Sequence, residues 1–348
     1  MLETLTQSLA ASNPLTGEQV RHAVEQLVEE KVAPAIKADF LSQLATKGET
    51  IEEITAFAAA LREKSVQPPI DPAWRNAHDV LDVVGTGGDK AGTFNISTTV
   101  AILCAAAGVP VAKHGNRAIT SQVGSADVLE ALGVRIDLSP AEAAEALRKH
   151  NFAFFFAPNY HPTFKHIAPA RKLCAERGQR TIFNFLGPLL NPARPTAQLV
   201  GVPRPELCEP IARVLQSLGV RRGIVVCGQA GGMFLDELSS VGESTIAEFY
   251  QDRGFAVSKL AIDSFPIQRA TLVDLRGSDR ATNAQHVRDV LGGTERGPKR
   301  EAVLLNAAAA LLAAGKSRSI IEGWELAAQT IDGGLAAAKL RELSTNLA

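Results

Sequence analysis

Residues Asp82-Val83-Val84-Gly85-Thr86-Gly87-Gly88-Asp89-Lys90-Ala91-Gly92-Thr93-Phe94-Asn95-Ile96-Ser97-Thr98 read as a strand that runs into a glycine cluster and re-emerges as a helix near Ser97. Such a junction gathers backbone N–H groups and a helix N-terminus around one point, which suits a phosphate. Two standard phosphate motifs fail here. The dinucleotide fingerprint needs a glycine where Lys90 stands after Gly85-x-Gly87, and the P-loop needs Gly-Lys-Ser/Thr where Gly92 is followed by Thr93. The glycines alone serve equally as a tight turn, with Ser97 as a plain helix cap. Asp89, Asn95, Ser97 and Thr98 add carboxylate, amide and hydroxyl groups that suit a polyol or a phosphorylated sugar.

Outward from this junction, short apolar runs alternate with helical stretches. Strands are expected at Val80–Val84, Val109–Ala112, Val134–Ile136, Phe152–Phe156, Leu199–Val202, Gly223–Cys227 and Thr245–Phe249. Helices are expected at Thr98–Ala107, Ala126–Leu132, after the Ser139-Pro140-Ala141-Glu142 capping box, at Val303–Ala314 and at Ile320–Ala336. The all-apolar run Phe152-Ala153-Phe154-Phe155-Phe156 suits a strand covered on both faces of a parallel sheet. Ligands in open α/β sheets sit beyond the carboxyl ends of strands. The next strand end, Lys113-His114-Gly115-Asn116-Arg117, therefore faces the same crevice. There Lys113 supplies a compact positive charge for phosphate, and Arg117 is either a second one or an ion-pair partner. His114 has no partner at metal-ligand spacing and reads as structural or orienting. Ser125-Ala126-Asp127 opens a further helix toward the same place.

Upstream the pattern is all-helical. Thr16-Gly17-Glu18-Gln19 and Thr50-Ile51-Glu52-Glu53 are capping boxes, and a helix over Ala35–Leu44 closes near Gly48. Gln67-Pro68-Pro69-Ile70-Asp71-Pro72 then reads as a linker, since three prolines in six residues cannot continue a helix. The expected organisation is a small helical domain over 1–72, joined by part of 170–195, and a larger α/β domain with a mostly parallel sheet over 73–348.

With 36 Lys+Arg against 37 Asp+Glu, the net charge of −1 argues against bulk electrostatic binding of nucleic acid or anionic membrane. Cys104, Cys174, Cys208 and Cys227 lack CxxC or zinc-type spacing and read as buried thiols of a cytoplasmic protein. No apolar run reaches the ~18 residues of a membrane span, and the N-terminus lacks a signal-peptide pattern.

Gly85-Thr86-Gly87-Gly88-Asp89, Asn95-Ile96-Ser97-Thr98, Lys113-His114-Gly115-Asn116-Arg117 and Gly124-Ser125-Ala126-Asp127-Val128-Leu129-Glu130 closely resemble the anthranilate phosphoribosyltransferase family. The resemblance extends in order through Leu15-Thr16, Lys47-Gly48-Glu49-Thr50, His161-Pro162, Phe183-Asn184-x-Leu186-Gly187-Pro188-Leu189, Leu235-Asp236-Glu237-Leu238 and Asn306-Ala307-Ala308. It implies a nucleoside phosphorylase/phosphoribosyltransferase-like fold and a pentosyl transferase of tryptophan biosynthesis. The implied reaction moves phosphoribose from 5-phosphoribosyl 1-diphosphate (PRPP) to the amine of anthranilate, with Mg²⁺, in a homodimer joined through the helical part.

By the same resemblance, PRPP is held by Gly85, Gly88, Asp89, Thr93, Asn95, Ile96, Ser97, Thr98, Lys113, Ser121 and Ser125. Anthranilate meets Gly85, Asn116, His161 and Arg171, with His161 flanking the entry and Arg171 facing the carboxylate. Ser97, Asp236 and Glu237 hold the metal. A bare Asp-Glu pair otherwise reads as solvated surface. Because neighbouring side chains of a strand point to opposite faces, both carboxylates reach one site only from a loop. Arg171 read alone is equally an exposed residue of a helix beginning near Thr163. No nucleophile or general base is demanded, because a neutral aniline is already nucleophilic; catalysis is expected from positioning and electrostatics.

Two departures from the family pattern stand out. The Arg171–Arg180 stretch is about three residues longer, and Gly231-Gly232-Met233-Phe234 replaces the usual Asp-Gly before Leu-Asp-Glu. The competing readings are a pyrimidine-nucleoside phosphorylase of the same fold, needing no metal carboxylates, and a noncatalytic nucleic-acid-binding relative. The second wants a basic groove that the charge balance and 5% aromatics argue against.

Overall fold

In a computed structural model, residues 2–118, 122–251 and 254–346 are described. The chain begins with four helices, α1 (Leu2–Ala10), α2 (Gly17–Val28), α3 (Pro34–Lys47) and α4 (Ile51–Glu63). Both expected capping boxes form, with Thr16 accepting from Gln19 N and Thr50 from Glu53 N. Glu53 also draws the bundle together, accepting from the backbone of Leu15 at 2.8 Å and from Lys47 Nζ at 2.7 Å. Leu15, 38 positions away, is thus tied to Lys47 and Thr50 through one buried carboxylate.

After the proline-rich segment come α5 (Pro72–Ala77), β1 (Leu81–Gly85), α6 (Ile96–Ala106), β2 (Val111–Gly115), α7 (Ser125–Ala131), α8 (Pro140–His150), β3 (Phe152–Phe156) and α9 (Ala157–Tyr160). They are followed by α10 (Ala168–Glu176), β4 (Ala197–Gly201), α11 (Cys208–Ser217), β5 (Arg222–Ala230), β6 (Met233–Leu235), β7 (Ser244–Tyr250) and β8 (Gly254–Leu260). The chain closes with α12 (Arg280–Leu291), α13 (Pro298–Ala313), α14 (Ile320–Asp332) and α15 (Leu335–Asn346).

The sheet runs β3-β2-β1-β4-β5-β7-β8, with β6 also paired to β5. Strands β1 to β5 are parallel, and β6, β7 and β8 add antiparallel pairings. Alternation along the central strands divides the core in two. Val83, Leu199, Ile224 and Val226 face α6 and α13, whereas Val200, Val225 and Cys227 join the cluster that contains Leu27, Phe40 and Phe57 of the bundle. Chain order passes from β1 outward to β2 and β3, then returns on the other side of β1 as β4. Loops leaving β1 and β4 therefore diverge in opposite directions and open a crevice at the carboxyl ends.

Several expectations need correction. Residues 134–136 are not a strand: Val134, Ile136 and Leu138 bury alternate side chains, but their backbone joins no sheet. The expected helix over 320–336 is two helices, broken at Gly333-Gly334, where Gly334 adopts φ +76°. The linker ends inside a helix, because Asp71 caps the Ala73 N–H and Pro72 takes the first helical position. Strands β6 and β8 and helices α11 and α12 were outside the expected set. All four cysteines are free and buried, and burial pushes the Cys208 and Cys227 thiols up to about 12. Among the described residues, no helix is long and apolar enough to cross a membrane.

Candidate active site

The crevice is built first from glycines that admit a close approach. A Cβ on Gly201, at the end of β4, would lie 1.4 Å from the backbone oxygen of Asp236, and one on Gly85 would lie 2.2 Å from Asp236 Oδ2. Gly87 and Gly88 adopt φ +73° and +82°, which turns the β1 loop back over the strand ends. Thr86 N donates to Gly201 O at 2.9 Å, and Gly87 N donates to Asp236 Oδ2 at 2.7 Å. These contacts bring the glycine loop against the loop that follows β6, which carries Asp236 and Glu237. Both acids thus come from a loop, as the strand geometry requires.

One carboxylate oxygen each from Asp89, Asp236 and Glu237 lies within 4.8 Å of the others. Burial, reinforced by the Asp89 charge, pushes the Asp236 carboxyl up to about 7. Burial raises Glu237 well above the ordinary carboxylate range, with Asp236 and Asp89 adding to the effect. Glu237 Oε2 touches neither solvent nor a hydrogen-bond partner. Ser97 lines the same small cavity as Asp236 and Glu237. A half-buried acidic cluster with an unpartnered oxygen and a nearby hydroxyl fits a hard divalent cation, which takes a few carboxylates and completes its shell with substrate oxygens and water. Asp89, read from sequence as a PRPP contact, thus sits with the metal-type ligands.

Lys113 is 1% exposed and donates from Nζ to Val83 O at 2.7 Å, with Ser97 Oγ 3.5 Å away. Burial lowers its ammonium to about 8, against the pull of Asp82 and Glu237. Asp82 lies beneath it, accepting from Asn191 Nδ2 at 2.8 Å, and its burial raises that carboxyl to about 6. Sequence reasoning passed over Asp82, whose polar character inside a buried strand was the available signal, and Asn191, which lies in a loop and offered none. It also assigned no role to Asn306, which grips Leu238 beside the acidic pair.

The remaining PRPP candidates divide. Thr98 Oγ1 is buried and unpartnered, while Ile96 is in the core and offers the crevice only its backbone. Asn95 spends its amide on Val123 O and receives Asn283 Nδ2, so it braces the loop. Thr93 forms a bridge with Arg276, which stitches the loop to the segment before α12. Gly88 stays in the turn. Ser125 starts α7 and donates to Asn116 O at 3.3 Å. Ser121 lies outside the described residues. Arg117 is an ion-pair partner, held by Asp127 at 3.1 Å and Glu130 at 2.9 Å.

On the other flank a run of rings leads away from β2. His114 meets His161 edge-on at 5.4 Å, His161 lies 5.0 Å from Phe164, and Phe164 meets Phe183 at 5.8 Å. The Arg171 guanidinium stands 5.5 Å over the Phe183 ring. Burial lowers the Arg171 guanidinium, and no carboxylate pairs with it among the described residues. It stands in the first turn of α10, which begins at Ala168 behind a 3₁₀ turn over Pro162–His166. His161 does not flank an open entry: it is 4% exposed, and burial brings it down to about 4 and His114 to about 3. Both rings are neutral at pH 7. Each keeps a buried Nε2 without a partner. Asn116 is exposed and turns its Oδ1 to the Arg117 N–H.

Residues 77–337 match the family described as glycosyl transferase family, a/b domain, and residues 3–65 match its helical bundle domain. The anthranilate phosphoribosyltransferase of Geobacter sulfurreducens is 46% identical over 340 residues, covering 95% of each chain. This chain belongs to the anthranilate phosphoribosyltransferase family. The Thermus thermophilus family member superposes with a TM-score of 0.88 at 39% identity, covering 98% of both chains. The Saccharomyces cerevisiae member in complex with PRPP and Mg superposes at 0.86 and 26% identity, covering 99% of this chain and 97% of that one. As a phosphoribosyltransferase of tryptophan biosynthesis, the chain takes the phosphoribosyl group of PRPP to the amine of anthranilate. The phosphorylase and nucleic-acid-binding readings give way to this one.

Proposed function

We propose that the two flanks of the crevice divide the reaction between them. The glycine loop, Ser97, Thr98, Lys113 and Ser125 hold the phosphates and ribose of PRPP, joined by Gly85, Gly88, Asp89, Ser121 and the backbone of Ile96, while Thr93 and Asn95 keep the loop in shape around it. The ring-lined flank takes anthranilate, with Arg171 presenting a planar donor pair to the carboxylate and the neutral His161 and His114 walling its apolar ring. Gly85 and Asn116 bound the space between the two substrates.

Asp236, Glu237, Asp89 and Ser97 would hold Mg²⁺, which when bound neutralises charge on the diphosphate leaving group. The chain's own contribution is a fixed set of donors around departing oxygens, which costs no reorganisation as charge develops. Lys113 adds a positive charge from a site that excludes water. The amine of anthranilate attacks C1 of the ribose as the C1–O bond to diphosphate breaks, and the amine then loses a proton to solvent. No side chain needs to form a covalent bond, so positioning carries much of the rate. We also infer a cytoplasmic homodimer joined through the helical part, with the domain division at 72/73 and 170–195 packed on the bundle.

The observation that carries this reading is the three-carboxylate cluster beside the glycine loop at the β1/β4 switch. The test follows the decrease in anthranilate fluorescence on adding PRPP, with and without Mg²⁺. Turnover that requires both is the expected result; PRPP-independent change, or turnover indifferent to Mg²⁺ after chelation, would overturn it.

A further inference from the structure

At the opposite end of the sheet a second cavity of about 350 Å³ opens at the amino ends of β1, β4 and β5, bordered by the end of α4. Its wall carries Arg62, Arg75, Arg194 and Arg221 against a single acid, Glu63. Arg221 is occupied, donating to Asn76 O, His78 O and Asp79 Oδ1 at 2.6–2.9 Å. Arg75 and Arg194 have no carboxylate partner among the described residues. Arg62 is the most telling. It is 7% exposed, its Nε donates to Leu189 O at 2.5 Å, and its Nη2 has neither solvent nor a partner. Arg62 thus brings to the cavity wall a buried positive charge that no carboxylate pairs among the described residues, which is costly unless an anion settles nearby.

We propose that this cavity is a second anion site, built for a phosphate-class polyanion that bridges the helical bundle and the α/β layer. The guanidinium groups of Arg75 and Arg194, each able to give two parallel N–H donors, would hold the anion's oxygens, with the buried Arg62 charge behind them. The volume falls in the range of small-molecule sites, roughly 300–1,000 Å³. Burial, then repulsion from Arg194, lowers the Arg62 guanidinium to about 10, a tension that a bound anion would relieve. The site is separate from the crevice, because it lies before the strands rather than beyond them. It is nonetheless linked to it: Arg62 holds Leu189, and the next carbonyl, Leu190, hydrogen-bonds the His161 ring.

The test uses the full chain without divalent cation. Crystals soaked in tungstate, a phosphate mimic, should show an anomalous peak within hydrogen-bond reach of Arg75 and Arg194, whereas peaks confined to the carboxyl ends of the strands would overturn the proposal. In solution, calorimetry with inorganic phosphate should count one anion fewer per chain in the Arg75→Ala/Arg194→Gly double variant than in the parent. Arg194 has φ +49°, so glycine there eases the backbone, and turnover within about twofold of the parent confirms the fold. Equal stoichiometry in parent and variant sinks the idea. A parallel titration with ribose 5-phosphate separates the sources: tighter binding of the ester assigns the site to a sugar phosphate, and tighter binding of phosphate assigns it to the free anion.

Discussion

Asn306 on α13 holds Leu238 from both sides, accepting its N–H at 2.8 Å and donating Nδ2 to its carbonyl at 3.0 Å. Leu238 follows Glu237 directly, so one buried amide sets the path of the acidic loop. Its Nδ2 also reaches Ala302 O, which anchors the pair to the helix. Asn306→Ala leaves a buried backbone N–H without an acceptor, a loss of about 1–3 kcal/mol. The expected outcome is a lower melting temperature together with an Mg²⁺ half-saturation raised about tenfold. Asn306→Asp, which keeps the acceptor, should recover part of both. An unchanged Mg²⁺ dependence in the alanine variant would detach Asn306 from the metal loop.

Glu237 sits in a cluster whose charges repel one another without a cation. Glu237→Gln removes one charge of the same shape. In a chelator the variant should melt higher than the parent, because a desolvated carboxylate has been neutralised. The parent should gain stability when Mg²⁺ is added, and the variant should gain much less. Differential scanning calorimetry at matched Mg²⁺ concentrations checks both signs.

Arg171 stands over Phe183, and no carboxylate pairs with it among the described residues. Arg171→Ala should raise the KM for anthranilate by about ten- to a hundredfold, the scale of a lost charge-assisted hydrogen bond of ~1.5–3 kcal/mol. The KM for PRPP should stay within about twofold. Steady-state kinetics with each substrate varied in turn separates the two, and equal changes in both constants would refute the assignment.

The neutral histidine pair has a signature in pH. His161 has a folded value of about 4 against 6.5 unfolded, so between those values the unfolded chain binds more protons. The resulting stability is present above pH 6.5 and is lost as pH falls toward 4. At ~1.36 kcal/mol per pKa unit the effect is of order 2–3 kcal/mol. Urea unfolding across pH 4–7 should show that acid limb, and His161→Phe, which retains a ring against Phe164, should make it shallower, His114 supplying the remainder. A slope unchanged by the substitution would place the lost protons elsewhere.

Much of this architecture could be read locally. Capping boxes at Thr16, Thr50 and Ser139 act within four residues, so the helix starts they predict are present in the structure. The apolar run Phe152–Phe156 announced a strand buried on both faces. Residues 134–138 misled because alternate burial is half of what a strand needs; the other half is a neighbouring backbone, and none is there. The same limit hid β8, an exposed edge strand defined by pairing with β7 rather than by an alternating pattern of its own.

From its residues alone, the chain determined its helix caps, its buried parallel strands, the glycine turn after β1 and the set of chemically able groups near it, because each depends on neighbours a few positions away. Tertiary structure alone decided which of those groups meet. It brought Asp89 to Asp236 across 147 positions, spent Asn95 and Arg117 on internal contacts, buried His161 against His114, and set Arg62 beside Arg194 at the far end of the sheet. Charge repulsion, burial and shared hydrogen bonds act through space, and spacing along the chain does not encode those distances until the strands have found their order.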